Sequence, residues 1–133
     1  MPAILVVDDD HDFHTIAAAF IERVGCQALH AFDGEEGEKM ALANKPDLIL
    51  LDIMMPEQDG YTTCQHLRIH GYLGAISMLS AILDATGTKK VRECGANGYL
   101  MKPLASALLS LHVEYARSGM SCPTVSEWLD HQP

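Results

Sequence analysis

An α/β fold, a doubly wound five-stranded parallel sheet with helices on both faces, is predicted by three features of the chain. Five short apolar runs recur along it, at residues 3–7, 28–32, 48–51, 75–79 and 99–101. Each has the length of a buried strand and is nearly continuous rather than alternating, as in strands covered on both faces. Helically spaced stretches separate the runs, and a strand–helix alternation repeated five times calls for crossover connections and a parallel sheet.

Run 3–7 leads into Asp8, Asp9 and Asp10, then into a helix whose expected apolar face is Phe13, Ile16, Ala17, Phe20 and Val24. Asp12 stands near its start, where a short acceptor satisfies free N–H groups, and Gly25 stands at its stop. Run 28–32 precedes a helix over 34–45 with Met40 and Ala41 inward; Glu35, Glu36 and Glu38 read as its solvated end, favoured by the helix dipole. After run 48–51, Tyr61, Cys64 and Leu67 mark the inner face of a helix between Asp59 and Gly71. Run 75–79 is followed by a helix over 84–94, from Asp84 to Gly95, with weak formers in Thr86, Gly87 and Thr88. After run 99–101, Pro103 suits the start of a last helix with Leu104, Leu108, Leu111 and Tyr115 inward. The pattern lapses at Met120, so residues 1–119 read as one domain and 120–133 as a tail or linker stub.

The 133 residues carry nine basic against eighteen acidic side chains, a net charge of −9. That excess argues against direct nucleic-acid binding, which rests on Lys and Arg, and against an anionic membrane surface. With 48% hydrophobic residues the chain has material for a core. No apolar stretch approaches the ~18 residues of a membrane span. Cys26, Cys64, Cys94 and Cys122 form no C-x-x-C pair, and the short apolar run after Met1 is no signal peptide. Four reduced thiols in a cytoplasmic protein is the expectation. Of the seven histidines, the pairs His11/His14 and His66/His70 lack a third ligand and read as solvated surface. No glycine-rich nucleotide loop occurs, and the seven methionines read as core filling.

The chemistry lies just past each run: Asp8 and Asp9 after the first, Asp52 after the third, Ser80 after the fourth and Lys102 after the fifth. Open parallel sheets bind ligands beyond the carboxyl ends of their strands, so the alternation gathers these groups at one rim. Clustered carboxylates repel and call for a cation, and hard oxygen donors suit Mg²⁺. A lysine and a hydroxyl beside them suit the remaining oxygens of a phosphoryl group. Asp52, standing alone and facing Lys102 and Ser80, is the expected nucleophile, with Asp8 and Asp9 left for the metal.

These residues carry a resemblance. Ile4-Leu5-Val6-Val7-Asp8-Asp9-Asp10, Pro46-Asp47-Leu48-Ile49-Leu50-Leu51-Asp52, Met55-Pro56, Asp59-Gly60, Met78-Leu79-Ser80-Ala81 and Gly95-Ala96-Asn97-Gly98-Tyr99-Leu100-Met101-Lys102-Pro103 together resemble the receiver domain of two-component response regulators, over about residues 3–117. The resemblance implies a flavodoxin-like receiver fold and no enzyme beyond self-catalysed phosphorylation and dephosphorylation. It implies Asp52 as phosphoacceptor; Asp8, Asp9, Asp52 and the main-chain carbonyl of Met54 as ligands of Mg²⁺, for which Mn²⁺ can substitute; and Lys102 as the phosphate-contacting lysine. Ser80 and Tyr99 correspond to the switch pair, Ala81 to the small residue that leaves access to the phosphoryl group, and Lys102–Pro103 to a cis bond. The implied donor is a sensor histidine kinase or a histidine phosphotransfer protein. The chain's own pattern gives the expected output, a downstream protein or a homodimer through residues 84–117, where Leu109, Val113 and Ala116 form a second apolar strip. Gly74, where the family often has proline, and His11 after the acidic triplet are departures.

A stand-alone single-domain regulator is the expectation, because the first strand comes immediately after Met1. The alternative is a module excised from a hybrid kinase or transcription factor. An aspartyl-phosphate phosphatase is the weaker rival, since that chemistry needs a second acid where this chain has Met54.

Overall fold

The computed structural model describes residues 2–80 and 85–102. Nine elements alternate along them: β1 (Ala3–Val7), α1 (His11–Arg23), β2 (Gln27–Ala31), α2 (Gly34–Asn44), β3 (Leu48–Asp52), α3 (Gly60–Ile69), β4 (Ala75–Ser80), α4 (Ala85–Glu93) and β5 (Gly98–Met101). All strand pairs are parallel, in the order β2-β1-β3-β4-β5. This is the order of flavodoxin-like sheets, and its switch point falls between β1 and β3. The helix expected after Pro103, the tail, and the expected cap at Asp84 lie outside the described residues.

Successive side chains of β1 and β3 point to opposite faces, so each strand feeds two cores. Leu5, Val7, Ile49 and Leu51 pack with Ala41 of α2, Cys64 and Leu67 of α3 and Val91 of α4. On the other face Ile4, Val6, Leu48 and Leu50 pack with Phe13, Ala17 and Ile21 of α1 and with Leu100 of β5. Each fully buried Leu or Ile contributes roughly 1.5–3 kcal/mol. That two-sided burial is why the strands read as continuous apolar runs.

Several expectations need correcting. Ile16 is 48% exposed, while Ile21 and His14 are buried. The inner stripe of α1 thus runs through Phe13, Ala17 and Ile21 at four-residue spacing, and Ile16 falls on its flank. The N-cap of α1 is Asp10, whose carboxylate accepts from the Asp12 and Phe13 N–H groups; Asp12 is the acidic residue of the first turn. Asp33 and Asp59 cap α2 and α3 in the same way. Gly25, Gly71 and Gly95 come after the helices at φ +81°, +90° and +94°, as stop signals should. Glu38 is no free surface acid: it accepts from Gln58 at 3.0 Å and pairs with His66 at 3.1 Å, tying α2 to the start and middle of α3. Cys26, Cys64 and Cys94 are buried thiols outside any disulfide among the described residues; Cys122 lies outside the described residues.

Arg68 joins α3 to the sheet's amino end. Its guanidinium donates to the carbonyls of Tyr72, Gly74 and Gly95 at 2.9, 2.7 and 2.9 Å, and to Asn97 Oδ1 at 2.8 Å. Asn97 Oδ1 also accepts from the Ile76 N–H at the second residue of β4. The departure at Gly74 is explained nearby. The Tyr72 hydroxyl, which donates to the Pro46 carbonyl at 2.7 Å, occupies the space that a Cβ at position 74 would need. Arg68→Ala leaves these acceptors short of a donor and should lower stability by about 2 kcal/mol. Urea unfolding measures this, and an unchanged midpoint and slope would show that water replaces the guanidinium fully.

Candidate functional site: an acidic rim with one lysine

β1 and β3 are adjacent, with Val7 beside Leu51, so the next residues along, Asp8 and Asp52, emerge side by side at the switch point. Asp8 is wholly buried and Asp52 nearly so, while Asp9 is exposed. Each of the three offers a carboxylate oxygen, and these oxygens lie within 4.8 Å of one another. Lys102, reached just past β5, is held at the rim by its N–H, which donates to the Ser80 carbonyl at 2.9 Å. Its ammonium lies 2.6 Å from Asp8 Oδ2, 3.6 Å from Asp52 Oδ1 and 4.4 Å from the centroid of the Phe13 ring. The expected facing of Lys102 and Asp52 is therefore present, but in this state the lysine sits closer to Asp8.

Burial and the nearby Asp8 carboxylate push Asp52 up to about 6, against the opposing pull of Lys102 and of the Met54 N–H. Burial disfavours the Lys102 ammonium, but the two aspartates outweigh it and hold Lys102 above its ordinary range. The site is thus an over-acidic cluster with one cation among the described residues, as the donor types predict.

The loop after β3 is shaped by close backbone approach. The Gly60 N–H donates to the Ile53 carbonyl at 2.9 Å, and a Cβ at Gly60 would collide with the carbonyl oxygen of Asp52. Only glycine lets α3 start so close to Asp52, which gives Asp59-Gly60 a physical meaning: one residue caps α3, the other clears it. Met54, two residues past Asp52, is 82% exposed. Ser80 ends β4, the strand beside β3, and is half-buried; Tyr99 on β5 is buried. Ala81 and Pro103 lie outside the described residues.

Hard oxygen donors converging at one rim fit a small divalent cation. Asp8, Asp9 and Asp52 are the groups that would hold it.

A family model for the response regulator receiver domain matches residues 4–114. The chain belongs to that family. The receiver is 37% identical over 123 residues to the alkaline phosphatase synthesis transcriptional regulatory protein PhoP of Bacillus subtilis, covering 91% of this chain and 51% of that protein. It is 37% identical over 105 residues to the DNA-binding dual master transcriptional regulator RpaA of Synechocystis, covering 77% and 44%. It therefore spans about half the length of the curated relatives it matches. Among solved structures, the receiver domain of a Francisella response regulator matches with TM-score 0.82 at 28% identity, covering 90% of this chain and 98% of that one. A two-component response regulator from Clostridium difficile matches with TM-score 0.81 at 28% identity, covering 89% and 97%. The receiver is thus a module of the two-component phosphoacceptor class, with the acidic pocket that in this family binds Mg²⁺.

Of the four histidines expected on the surface, His11 and His70 are exposed, whereas His66 is half-buried and paired with Glu38. His14, expected on the surface, is 4% exposed and lies directly behind the acidic rim.

Proposed function

We propose that Asp52 accepts the phosphoryl group of a phosphohistidine carried by a sensor histidine kinase or a histidine phosphotransfer protein. An Asp52 carboxylate oxygen attacks phosphorus, the P–N bond breaks, the imidazole leaves with the electron pair and takes a proton from solvent, and an acyl phosphate remains. Asp8, Asp9, Asp52 and the Met54 carbonyl would hold Mg²⁺, which would supply the positive charge that lets two anions meet; Mn²⁺ would offer the same hard-acid chemistry. Lys102, already within 3.6 Å of Asp52, is placed to take the charge of a phosphoryl oxygen. Ser80, one residue past the Leu79 that pairs with Asp52, donates its hydroxyl to a phosphoryl oxygen, and Ala81 is small enough to leave the group accessible. As Ser80 moves, Tyr99 takes the space it leaves, and residues 84–117 present the change to a downstream protein or a second copy of the chain.

The observation that carries this reading is a nearly buried Asp52 on the central strand, raised to about 6 yet facing the rim's one described cation. The reading assigns no turnover of external substrates beyond self-catalysed phosphorylation and dephosphorylation, and no direct contact with nucleic acid or membrane, in keeping with the net charge of −9. We place it in the cytoplasm, where buried thiols such as Cys26, Cys64 and Cys94 stay reduced.

Intact-mass spectrometry after incubation with a small acyl phosphate tests the assignment. One phosphoryl adduct is expected on wild type with Mg²⁺, little in chelator, and none on Asp52→Asn. Full labelling of Asp52→Asn would remove Asp52 as acceptor. A second reading is favoured by the half-length match to the transcriptional regulators: residues 1–119 act as the receiver of a longer regulator and 120–133 as its linker. Sequencing the transcript that encodes the chain decides between that and a single-domain regulator.

A further inference from the structure

Among the described residues His14 is the one buried histidine, and the reaction proposed above does not use it. Its Nε2 lies 2.7 Å from the carbonyl oxygen of Asp8 and its Nδ1 lies 2.7 Å from Nδ1 of His30 on β2. A carbonyl oxygen only accepts, so the hydrogen sits on His14 Nε2. In the neutral ring Nδ1 is then a lone pair, and His30 Nδ1 must donate to it. The two partners thus select the Nε2–H form of His14 and the Nδ1–H form of His30. Phe32 packs against the His14 ring, with centroids 4.3 Å apart, and also stacks on His11.

The group that His14 holds matters. The sheet ladders of β1 end at Val7. Beyond it the Asp8 N–H donates to the Ala31 carbonyl, Asp8 Oδ1 accepts from the Asp10 N–H at 2.9 Å, and Asp8 Oδ2 faces Lys102. The Asp8 carbonyl belongs to the peptide that joins Asp8 to Asp9. Because that peptide is planar, fixing the direction of its oxygen fixes where Asp9 begins. The histidine therefore sets the spacing of two adjacent carboxylates from behind, without touching either.

We infer that His14 is a positioning residue for the divalent-cation site, its Nε2–H locking the Asp8–Asp9 peptide while His30 keeps it in the donor form. The inference rests on the reading of Asp8 and Asp9 as cation ligands. Groups of this kind, bonded to a ligand-bearing residue rather than to the metal, typically change metal affinity 10–100-fold when removed.

In the full chain, His14→Phe keeps a ring against Phe32 and removes the donor, whereas His14→Gln restores an N–H at the end of the side chain. Mg²⁺ titration by NMR or calorimetry at about pH 8, where histidines are neutral, should show His14→Phe about tenfold weaker than wild type and His14→Gln within about threefold. A side chain that merely fills space predicts the reverse order, with Phe at least equal to Gln. Long-range ¹H–¹⁵N spectra should show the Nε2–H form at His14 and the Nδ1–H form at His30. Wild-type affinity in His14→Phe, or the Nδ1–H form at His14, overturns the inference. Should His14→Phe fail to fold, His30→Phe replaces it: mixed tautomers at His14 and weaker Mg²⁺ binding support the inference, and no change in either overturns it. Asp9→Ala separates the two levels. If it binds Mg²⁺ like wild type, the cation reading fails; if it loses affinity while His14→Phe does not, only the positioning role fails.

Discussion

In chelator at neutral pH, Lys102→Met should be about 3 kcal/mol less stable than wild type, and saturating Mg²⁺ should return most of the difference. Asp8 is wholly buried, and its described cationic partner is Lys102 at 2.6 Å. Removing one member of a buried ion pair strands the other charge in a poorly solvated place, which typically costs about 3–5 kcal/mol. Part of the lysine is exposed, so the lower end of that range applies. Mg²⁺ would bind only the folded rim, and more tightly where no lysine competes for Asp8 and Asp52, so its mass-action contribution to stability would be larger in the variant. Urea unfolding of both proteins, with and without Mg²⁺, measures both terms. Equal stability in chelator would mean that Asp8 has no need of the lysine.

The opposite sign is expected at Asp52. Its carboxyl is raised from 3.8 to about 6, so between those values the folded protein holds a proton that the unfolded chain has released. The stability this protonation contributes is complete below about pH 3.8 and is lost as pH rises through about 6. At neutral pH the metal-free protein therefore carries a penalty at this residue, on the order of 2 kcal/mol. Asp52→Asn removes it. In chelator the variant should be more stable than wild type by that amount near neutral pH, and the advantage should vanish near pH 4. An advantage independent of pH would place its origin in packing rather than in charge.

The two substitutions also show what the sequence makes legible. Asp8, Asp9, Asp52 and Lys102 could be placed together from strand ends alone, because a parallel sheet delivers every carboxyl end to one rim whatever the helices do. The central strands β1 and β3 were clear for a related reason, since a run buried on both faces has no competing period; the half-buried edge strand β2 begins at Gln27 and ends at Ala31, one residue before the run at 28–32 at each end. The helices were harder. Ile16 and Ile21 are equally apolar, and only the packing angle of α1 decides that Ile21 goes inward. Asp10 and Asp12 are equally good caps, and the choice depends on where the chain leaves β1. His14 and Glu38 looked like surface because each is a polar residue in a helix. Their partners, His30 on β2 and Gln58 and His66 at α3, are remote in sequence, and no local pattern announces a hydrogen bond across elements. The signal that could have found His14 is its spacing, one residue beyond the buried Phe13 and three before the buried Ala17.

The strand order carries a consequence for how the chain is born. β1 and β3, which bring the acids, are neighbours in the middle of the sheet, whereas Lys102 comes just after β5, a four-residue strand at its edge. A ribosome therefore delivers Asp8, Asp9 and Asp52 well before the residue that neutralises them, and the lysine reaches them only when the edge strand zips onto β4. In that interval the nascent acids lack the ammonium that the folded rim sets beside them. The β4–β5 pairing is also what holds Lys102 at the rim, so opening that pair would lift the ammonium away and recreate the unneutralised pocket of the unfinished chain.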